Sequence, residues 1–270
     1  MDLASKALAA FVASDIQVKL DRMLAIERAL GDGTAHLDHT RRIEPPAIPG
    51  RPNLPRLVHA TRVPRRRTGS VPGRTALLHA IAHIEFNAIH LALDASLRFP
   101  EMPDAFHFDW IRVATEEARH FTLLSTLLEQ RGFGYGSFDA HDGLWEMATK
   151  TAADVLARMA IVPRIIEARG LDVTPGMRKR FVEADDTEAA SILDIILADE
   201  VGHVAIGNRW FAWLCAERAL EPMATAASLA RRYDAPRLNP PFNLEARRAS
   251  GFSAAEIEAL TRVIDSRPAP

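Results

Sequence analysis

Four glutamates interrupt apolar runs of helical spacing, and two of them are followed three residues later by a histidine. The glutamates are Glu85, Glu117, Glu167 and Glu200, and the histidines are His120 and His203. Residues three or four apart share one face of an α-helix, so each glutamate lies within the apolar stripe of its helix. A buried carboxylate is costly unless it is protonated, paired or bound to a cation. The pattern therefore indicates a metal site.

The expected ligand set is four carboxylates and two imidazoles. One helical turn separates Glu117 from His120, and the same spacing holds for Glu200 and His203, so each pair can reach one ion. Carboxylate oxygen combined with imidazole nitrogen suits iron or manganese, and the number of ligands suits two ions with shared carboxylates and open positions. We expect two Fe ions, with Mn as the alternative at one or both sites.

The spacing of these residues is nearly repeated along the chain. Glu85 and Glu117 are 32 residues apart, Glu167 and Glu200 are 33 apart, and each lone glutamate precedes a Glu-x-x-His. This repeat predicts two similar helix hairpins. The 50 residues from Glu117 to Glu167 leave room for a long crossover between them.

The order of these ligands resembles that of the ferritin-like di-iron carboxylate proteins, over about half of the chain. The resemblance implies that Glu85 and Glu167 are terminal ligands, that Glu117 and Glu200 bridge the two ions, and that each ion has one histidine. Two acids resemble the carboxylates that orient ligand histidines in this superfamily. They are Glu116 and Asp199, of which Asp199 is assigned to His120.

Two short sequences narrow the resemblance. Ala-His-Ile-Glu at 82–85 and Glu-Ala-Arg-Gly-Leu-Asp at 167–172 resemble an uncharacterised bacterial ferritin-like family, related distantly to the tRNA hydroxylase branch. The resemblance implies an oxygenase or oxidase that uses O2 to oxidise or hydroxylate a small organic substrate. An external electron donor is expected because Cys215 is the sole cysteine and cannot hold an iron–sulfur centre.

Other functions stay open at this stage. A ferroxidase, iron-handling or peroxide-detoxifying protein would use the same ligands, whereas a metal-free helical scaffold would pair the inward glutamates with arginines such as Arg164 or Arg169. Nucleic acid such as tRNA is a less favoured partner. Such a nucleic acid would bind the basic connector, whose alternative interpretation is a solvated linker. The connector contains six arginines: Arg56, Arg62, Arg65, Arg66, Arg67 and Arg74.

The hydrophobic periodicity predicts an all-α protein with a ferritin-like four-helix bundle. We expect one compact domain with three parts: two short helices, separated by a break at Ser14-Asp15, with the connector at 1–74, the bundle at 75–218 and a C-terminal extension at 219–270. The four long helices are predicted at 75–99 after an N-cap at Thr75, at 108–131, at 152–169 with a bend at Pro163, and from 187 to 218. A short separate helix follows Thr174-Pro175, and Ser253 with Glu256 predicts a capping box before a last helix.

The composition is that of an ordinary globular protein, with 48% hydrophobic and 25% charged residues and a net charge of −2. This balance excludes a disordered or strongly nucleic-acid-attracting chain. The lone cysteine and the lack of a signal-peptide pattern or uncharged apolar stretch predict a cytoplasmic protein with no membrane span. A homodimer is the default assembly. We assign no functional role to three further histidines of the first long helix, which are His79, His83 and His90.

Overall fold

The structure, a computed structural model, describes residues 1–40, 43–64 and 69–265. Within these ranges the chain forms helices and no strand, which confirms the all-α prediction. Arg65, Arg66 and Arg67 of the basic connector lie outside the described residues. The chain divides into two compact units, Met1–Thr149 and Lys150–Pro270, and their boundary falls in the segment predicted as the crossover.

The first unit is built from two helix hairpins and a shorter helix. One hairpin packs on the other, because α1 contacts α3 and α2 contacts α4. Both short N-terminal helices and their break at Ser14-Asp15 are confirmed. The helices are α1 (Leu3–Val12), α2 (Ile16–Gly31), α3 (Val71–Arg98), α4 (Asp104–Gln130) and α5 (Gly143–Lys150).

The connector between α2 and α3 is held against the end of α1. Gly50 donates its backbone N–H to the carbonyl of Phe11 at 2.9 Å. A Cβ at position 50 would lie 2.1 Å from the carbonyl oxygen of Val12, so this approach requires glycine. The connector forms no helix or strand in its described part apart from a 3₁₀ turn at Ala60–Arg62.

Helix α3 begins four residues before the expected start at Thr75. Ser70 is the N-cap, and its hydroxyl accepts a hydrogen bond from the N–H of Gly73 at 3.3 Å. Pro72 stands in the first turn, where its missing N–H costs nothing. Thr75 instead lies inside the helix and donates its hydroxyl to the carbonyl of Val71 at 3.0 Å. The prediction of Thr75 as N-cap was therefore wrong.

One described helix, α3, is long and apolar enough to cross a membrane by length and composition alone. Of its most apolar window, 78% is buried inside the protein. Such burial is typical of the core helix of a hairpin.

In its described residues, the second unit contains one long interrupted helix, one long uninterrupted helix and three shorter ones. A π-helical segment, Val162–Glu167, joins α6 to α7 without a break. The helices are α6 (Val155–Ile161), α7 (Ala168–Val182), α8 (Thr187–Glu217), α9 (Pro222–Arg232), α10 (Leu244–Ala249) and α11 (Ala254–Asp265).

The third long helix does not end at Gly170 as expected. It continues to Val182 with Pro175 inside it, so the separate short helix predicted after Thr174 was wrong. Glycine and proline disfavour a helix interior by about 1 and 3 kcal/mol respectively. Tertiary packing offsets that cost here, since Leu171 and Phe181 are fully buried and α7 packs along α8.

The predicted bend at Pro163 takes the form of the π-helical segment. Pro163 packs directly on α8 at Gly207, where an added Cβ would lie 2.3 Å from the Pro163 Cβ. Such segments are frequent at functional sites. The segment ends at Glu167, one of the residues predicted to bind metal.

The C-terminal segment packs on this interrupted helix through two buried arginines. Arg247 pairs with Asp172 at 2.7 Å, with both side chains fully buried. The predicted capping box is confirmed: Glu256 accepts from the N–H and the hydroxyl of Ser253. The other oxygen of Glu256 accepts a hydrogen bond from Arg164. Helices α9 and α10 lie within the predicted C-terminal extension.

Candidate metal centre

Three of the predicted ligands meet in the interior of the first unit. Nδ1 of His120 lies 3.2 Å from a carboxylate oxygen of Glu85 and 3.3 Å from one of Glu117. One ligand atom from each of the three side chains lies within 4.8 Å of the other two. All three residues are at most 3% exposed. We call this group the α3–α4 cluster.

The α3–α4 hairpin brings these side chains together. The connection at 99–103 is short, so the two helices run in opposite directions and face each other along their apolar stripes. The neighbours of Glu85 one turn away, Ile81 and Ile89, are buried, as are Val113 and Phe121 beside Glu117. The inward direction expected for both glutamates is what the hairpin shows.

The α3–α4 cluster places two carboxylates close together in a buried, water-poor environment. Burial and the neighbouring Glu117 carboxylate raise the pKa of Glu85 well above its usual value. Burial alone lowers the pKa of His120, but the two carboxylates more than offset it and raise that pKa to about 11. The cluster thus favours extra positive charge, in the form of protons or of a bound cation.

The second unit holds the other three predicted ligands. Nδ1 of His203 lies 3.6 Å from a carboxylate oxygen of Glu200 one turn earlier on α8. His203 is buried, whereas Glu200 and Glu167 are partly buried. The contact of Pro163 with Gly207 lies one turn from Glu167 and one turn from His203. Because α7 and α8 form an antiparallel hairpin, Glu167 and His203 come to the same level of it.

The two acids expected to orient the histidines, Glu116 and Asp199, are partly buried. Their assignment stays a prediction. Among the described residues, the two arginines named for a metal-free scaffold, Arg164 and Arg169, contact other groups. Arg164 binds Asn208 and Glu256, and Arg169 donates to the carbonyls of Asn239 and Pro241 and lies 3.6 Å from Asp172.

A second buried polar group in the first unit was missed. His79, His83 and His90 lie on one face of α3, where His83 Nδ1 is 2.8 Å from the Tyr135 hydroxyl and His79 Nε2 accepts from the N–H of Gly136. Neither ring nitrogen of His90 has a hydrogen-bond partner among the described residues. The spacing of 79, 83 and 90 on one helical face was a visible signal, but it could not reveal the partners, which come from a distant loop.

The described residues define an all-helical protein with buried carboxylate and histidine side chains. The chain belongs to the family described as "Protein of unknown function (DUF455)", whose model matches residues 12–258. It is 45% identical over 219 residues to an uncharacterized protein of Haemophilus influenzae, covering 78% of this chain and 76% of that protein. No solved structure matches the chain significantly.

Proposed function

We propose that this chain is a di-metal carboxylate protein of the ferritin-like type, and that its resident ions are iron. The observation that carries the proposal is the α3–α4 cluster, in which two glutamates and one histidine are buried against each other. The six ligands would be those expected from the sequence: Glu85, Glu117, His120, Glu167, Glu200 and His203. The family description names no activity and therefore neither supports nor opposes the proposal.

The residues present fit a cation. Two neighbouring carboxylates cannot both be ionised in a dry interior without a large cost, and the raised pKa of Glu85 expresses that cost. The pKa of His120 is raised because the same carboxylates favour a positive charge beside them. A divalent cation would replace the extra protons and be held by oxygen and nitrogen atoms of suitable softness. In the second unit, Glu200 and His203 supply the same pair of donor types one helical turn apart.

The protein's own contribution would be positioning and exclusion of water. Bound iron supplies the capacity to react with O2 and to transfer electrons to or from it. The apolar neighbours of the α3–α4 cluster, which include Ile89 and Phe121, keep the ligands in a low-dielectric environment. In this proposal the substrate is a small organic molecule, and reducing equivalents come from a separate donor because Cys215 is buried and alone.

The π-helical segment supports a role in function rather than mere structure. π-Helical segments are rare and are frequently found at functional sites. Here the segment ends on Glu167, and its position is held by the close packing of Pro163 on Gly207. This favours an enzyme or iron-handling protein over a metal-free scaffold.

The deciding experiment is metal analysis of protein purified without a metal-affinity tag, in the wild type and in Glu117→Gln and Glu200→Gln. We expect about two ions per wild-type chain and a loss of at least one ion in each variant. Glu217→Gln, a change on the exposed end of α8, is the matched control and should leave the content unchanged. Wild-type protein with no metal and no uptake of Fe(II) would overturn the proposal.

The same preparation separates an oxygen-using enzyme from an iron store. After anaerobic loading with Fe(II), exposure to O2 should change the near-ultraviolet absorption at a fixed stoichiometry of about two ions per chain. An iron store would instead take up many more ions per chain and elute from a sizing column as a large cage.

A further inference from the structure

The first unit contains an open pocket of about 750 Å³ that lies outside the α3–α4 cluster. It lies between the N-terminal end of α2 and the second half of α4. Arg51, from the connector, and Tyr135, from the loop after α4, also contribute to its wall. The volume falls in the range of small-molecule sites. Nothing in the proposed metal chemistry uses this pocket.

Several hydroxyl and amide hydrogens on the pocket wall are already engaged. Thr122 donates its hydroxyl to the carbonyl of Ala118 at 2.7 Å, and Ser125 donates to the carbonyl of Thr122 at 3.1 Å. Gln17 donates an amide hydrogen to Asp21 at 2.9 Å. The hydroxyl hydrogens of Thr122 and Ser125 are therefore already used, Gln17 keeps one amide hydrogen, and the oxygens of all three side chains retain lone pairs that can accept.

Tyr135 also offers an acceptor to the pocket. Its phenol oxygen lies 2.8 Å from Nδ1 of His83, and Nε2 of the same ring lies 3.1 Å from the carbonyl of His141 and 3.0 Å from the amide nitrogen of Asn87. Whichever ring nitrogen carries the hydrogen, the phenol oxygen keeps a lone pair that can accept a hydrogen bond from a ligand.

The charged side chains that line the pocket also favour a ligand that donates hydrogen bonds. Asp15 and Glu129 are exposed acids of the pocket, and Asp15 uses one carboxylate oxygen to cap α2 through the N–H of Val18. The cation among the lining residues, Arg51, is paired with Asp142 at 2.8 Å. The lining side chains thus carry a net negative charge and several oxygen atoms that can accept hydrogen bonds. Their complement is a ligand rich in hydrogen-bond donors and positively charged.

We propose that this pocket binds a small organic amine in its protonated form, with Asp15 and Glu129 as the charged contacts and the oxygens of Thr122, Ser125 and Tyr135 as further acceptors. An ammonium group carries three donors and no acceptor, which matches this wall. An anion would meet two carboxylates and an arginine that is already neutralised. The proposal does not depend on the metal centre, because all of these residues lie outside the predicted ligand set.

The test is calorimetric titration of the full-length protein, as purified, with spermidine as the probe and triethylene glycol as an uncharged chain. Spermidine should bind with a Kd below about 1 mM, and triethylene glycol should give no binding heat. Asp15→Asn keeps an N-cap residue and Glu129→Gln keeps the side-chain size. Each should weaken binding about two- to fivefold, the effect of one exposed charge, and the double variant about tenfold.

Two further variants complete the design. Thr126→Trp fills the pocket from an exposed position on α4 and should abolish binding, while Glu217→Gln in the second unit should bind as the wild type does. Circular dichroism checks that each variant is folded. Absence of spermidine binding to folded wild-type protein would overturn the proposal, as would affinities of the Asp15→Asn and Glu129→Gln variants equal to that of the wild type. Metal content measured on the same samples reports separately on the metal centre.

Discussion

Nδ1 of His120 lies 3.2 Å from a carboxylate oxygen of Glu85, which stands on the other helix of the α3–α4 hairpin. This contact joins two positions 35 residues apart in the chain. It shows that the apolar stripes of α3 and α4 carry their polar residues at the same level. A lone buried glutamate and a Glu-x-x-His motif thereby become one cluster.

The first prediction concerns the stability of the metal-free protein. In the presence of a chelator at pH 7, Glu85→Gln should raise the free energy of unfolding by about 1 kcal/mol. Burial and the Glu117 carboxylate disfavour the charged form of the Glu85 carboxyl, and the neutral amide of glutamine does not meet that penalty. Because the folded pKa of Glu85 is raised, wild-type stability falls as pH rises above about 4.5, so the difference should vanish below that pH.

Urea denaturation of both proteins at pH 4 and pH 7 measures this difference. Lower stability of the Glu85→Gln variant at pH 7 without metal would contradict the cause given for the raised pKa. Addition of Fe(II) should reverse the order, since only the wild type keeps the full ligand set.

The second prediction compares two glycines of α8. Gly207→Ala should lower the free energy of unfolding by about 2 kcal/mol, because the new Cβ meets the ring of Pro163. Gly202→Ala should raise it by about 0.5–1 kcal/mol, since nothing lies within 4 Å of that Cβ and alanine is the better helix former. Urea unfolding of both variants gives the two values, and equal effects would disprove the close packing at Pro163.

The third prediction concerns the buried arginine of the π-helical segment. Arg164 binds Asn208 and Glu256 and packs 4.1 Å from the ring centroid of Phe211. Arg164→Met should cost about 3 kcal/mol, because it removes the donor to the amide oxygen of Asn208 and to one carboxylate oxygen of Glu256.

Arg178→Met provides the comparison for Arg164. Arg178 pairs with Asp194 at 2.5 Å, but both side chains are more than 40% exposed. Loss of such a surface pair should cost less than about 1 kcal/mol in the same urea assay. A similar cost for both variants would show that the C-terminal segment does not depend on Arg164.

The fourth prediction follows from a completely buried lysine. Lys19 donates to the carbonyls of Ala10 and Phe11 at the end of α1, and burial, with smaller contributions from Arg22 and Arg51, lowers its pKa to about 7. The unfolded chain therefore binds one more proton than the folded protein between pH 7 and the ordinary value of 10.5. Stability should rise with pH across that window, by at most about 1.4 kcal/mol per pH unit.

Urea denaturation from pH 6.5 to pH 9.5 detects this slope. Lys19→Met keeps the length of the side chain and removes the titrating group, so its stability should vary less with pH over the same range. An identical slope in both proteins would show that Lys19 is not the source.

Much of the local structure was predictable from the sequence. Helix class, the break at Ser14-Asp15 and the capping box of Ser253 and Glu256 follow from patterns that span only a few residues. The inward direction of Glu85 and Glu117 was also predictable, because residues three and four positions away are apolar. These features depend on neighbours in the chain, which the sequence displays directly.

Other features depended on contacts between distant segments. Gly170 and Pro175 argue for a helix end, yet α7 continues through both because packing against α8 outweighs the local preference. Two of the hydrogen-bonding partners of His83, Tyr135 and His141, lie more than 50 residues away in the chain. The sequence by itself determined which residues face inward on each helix. Only the tertiary structure decided which inward faces meet, because packing energy comes from contacts that local patterns do not specify.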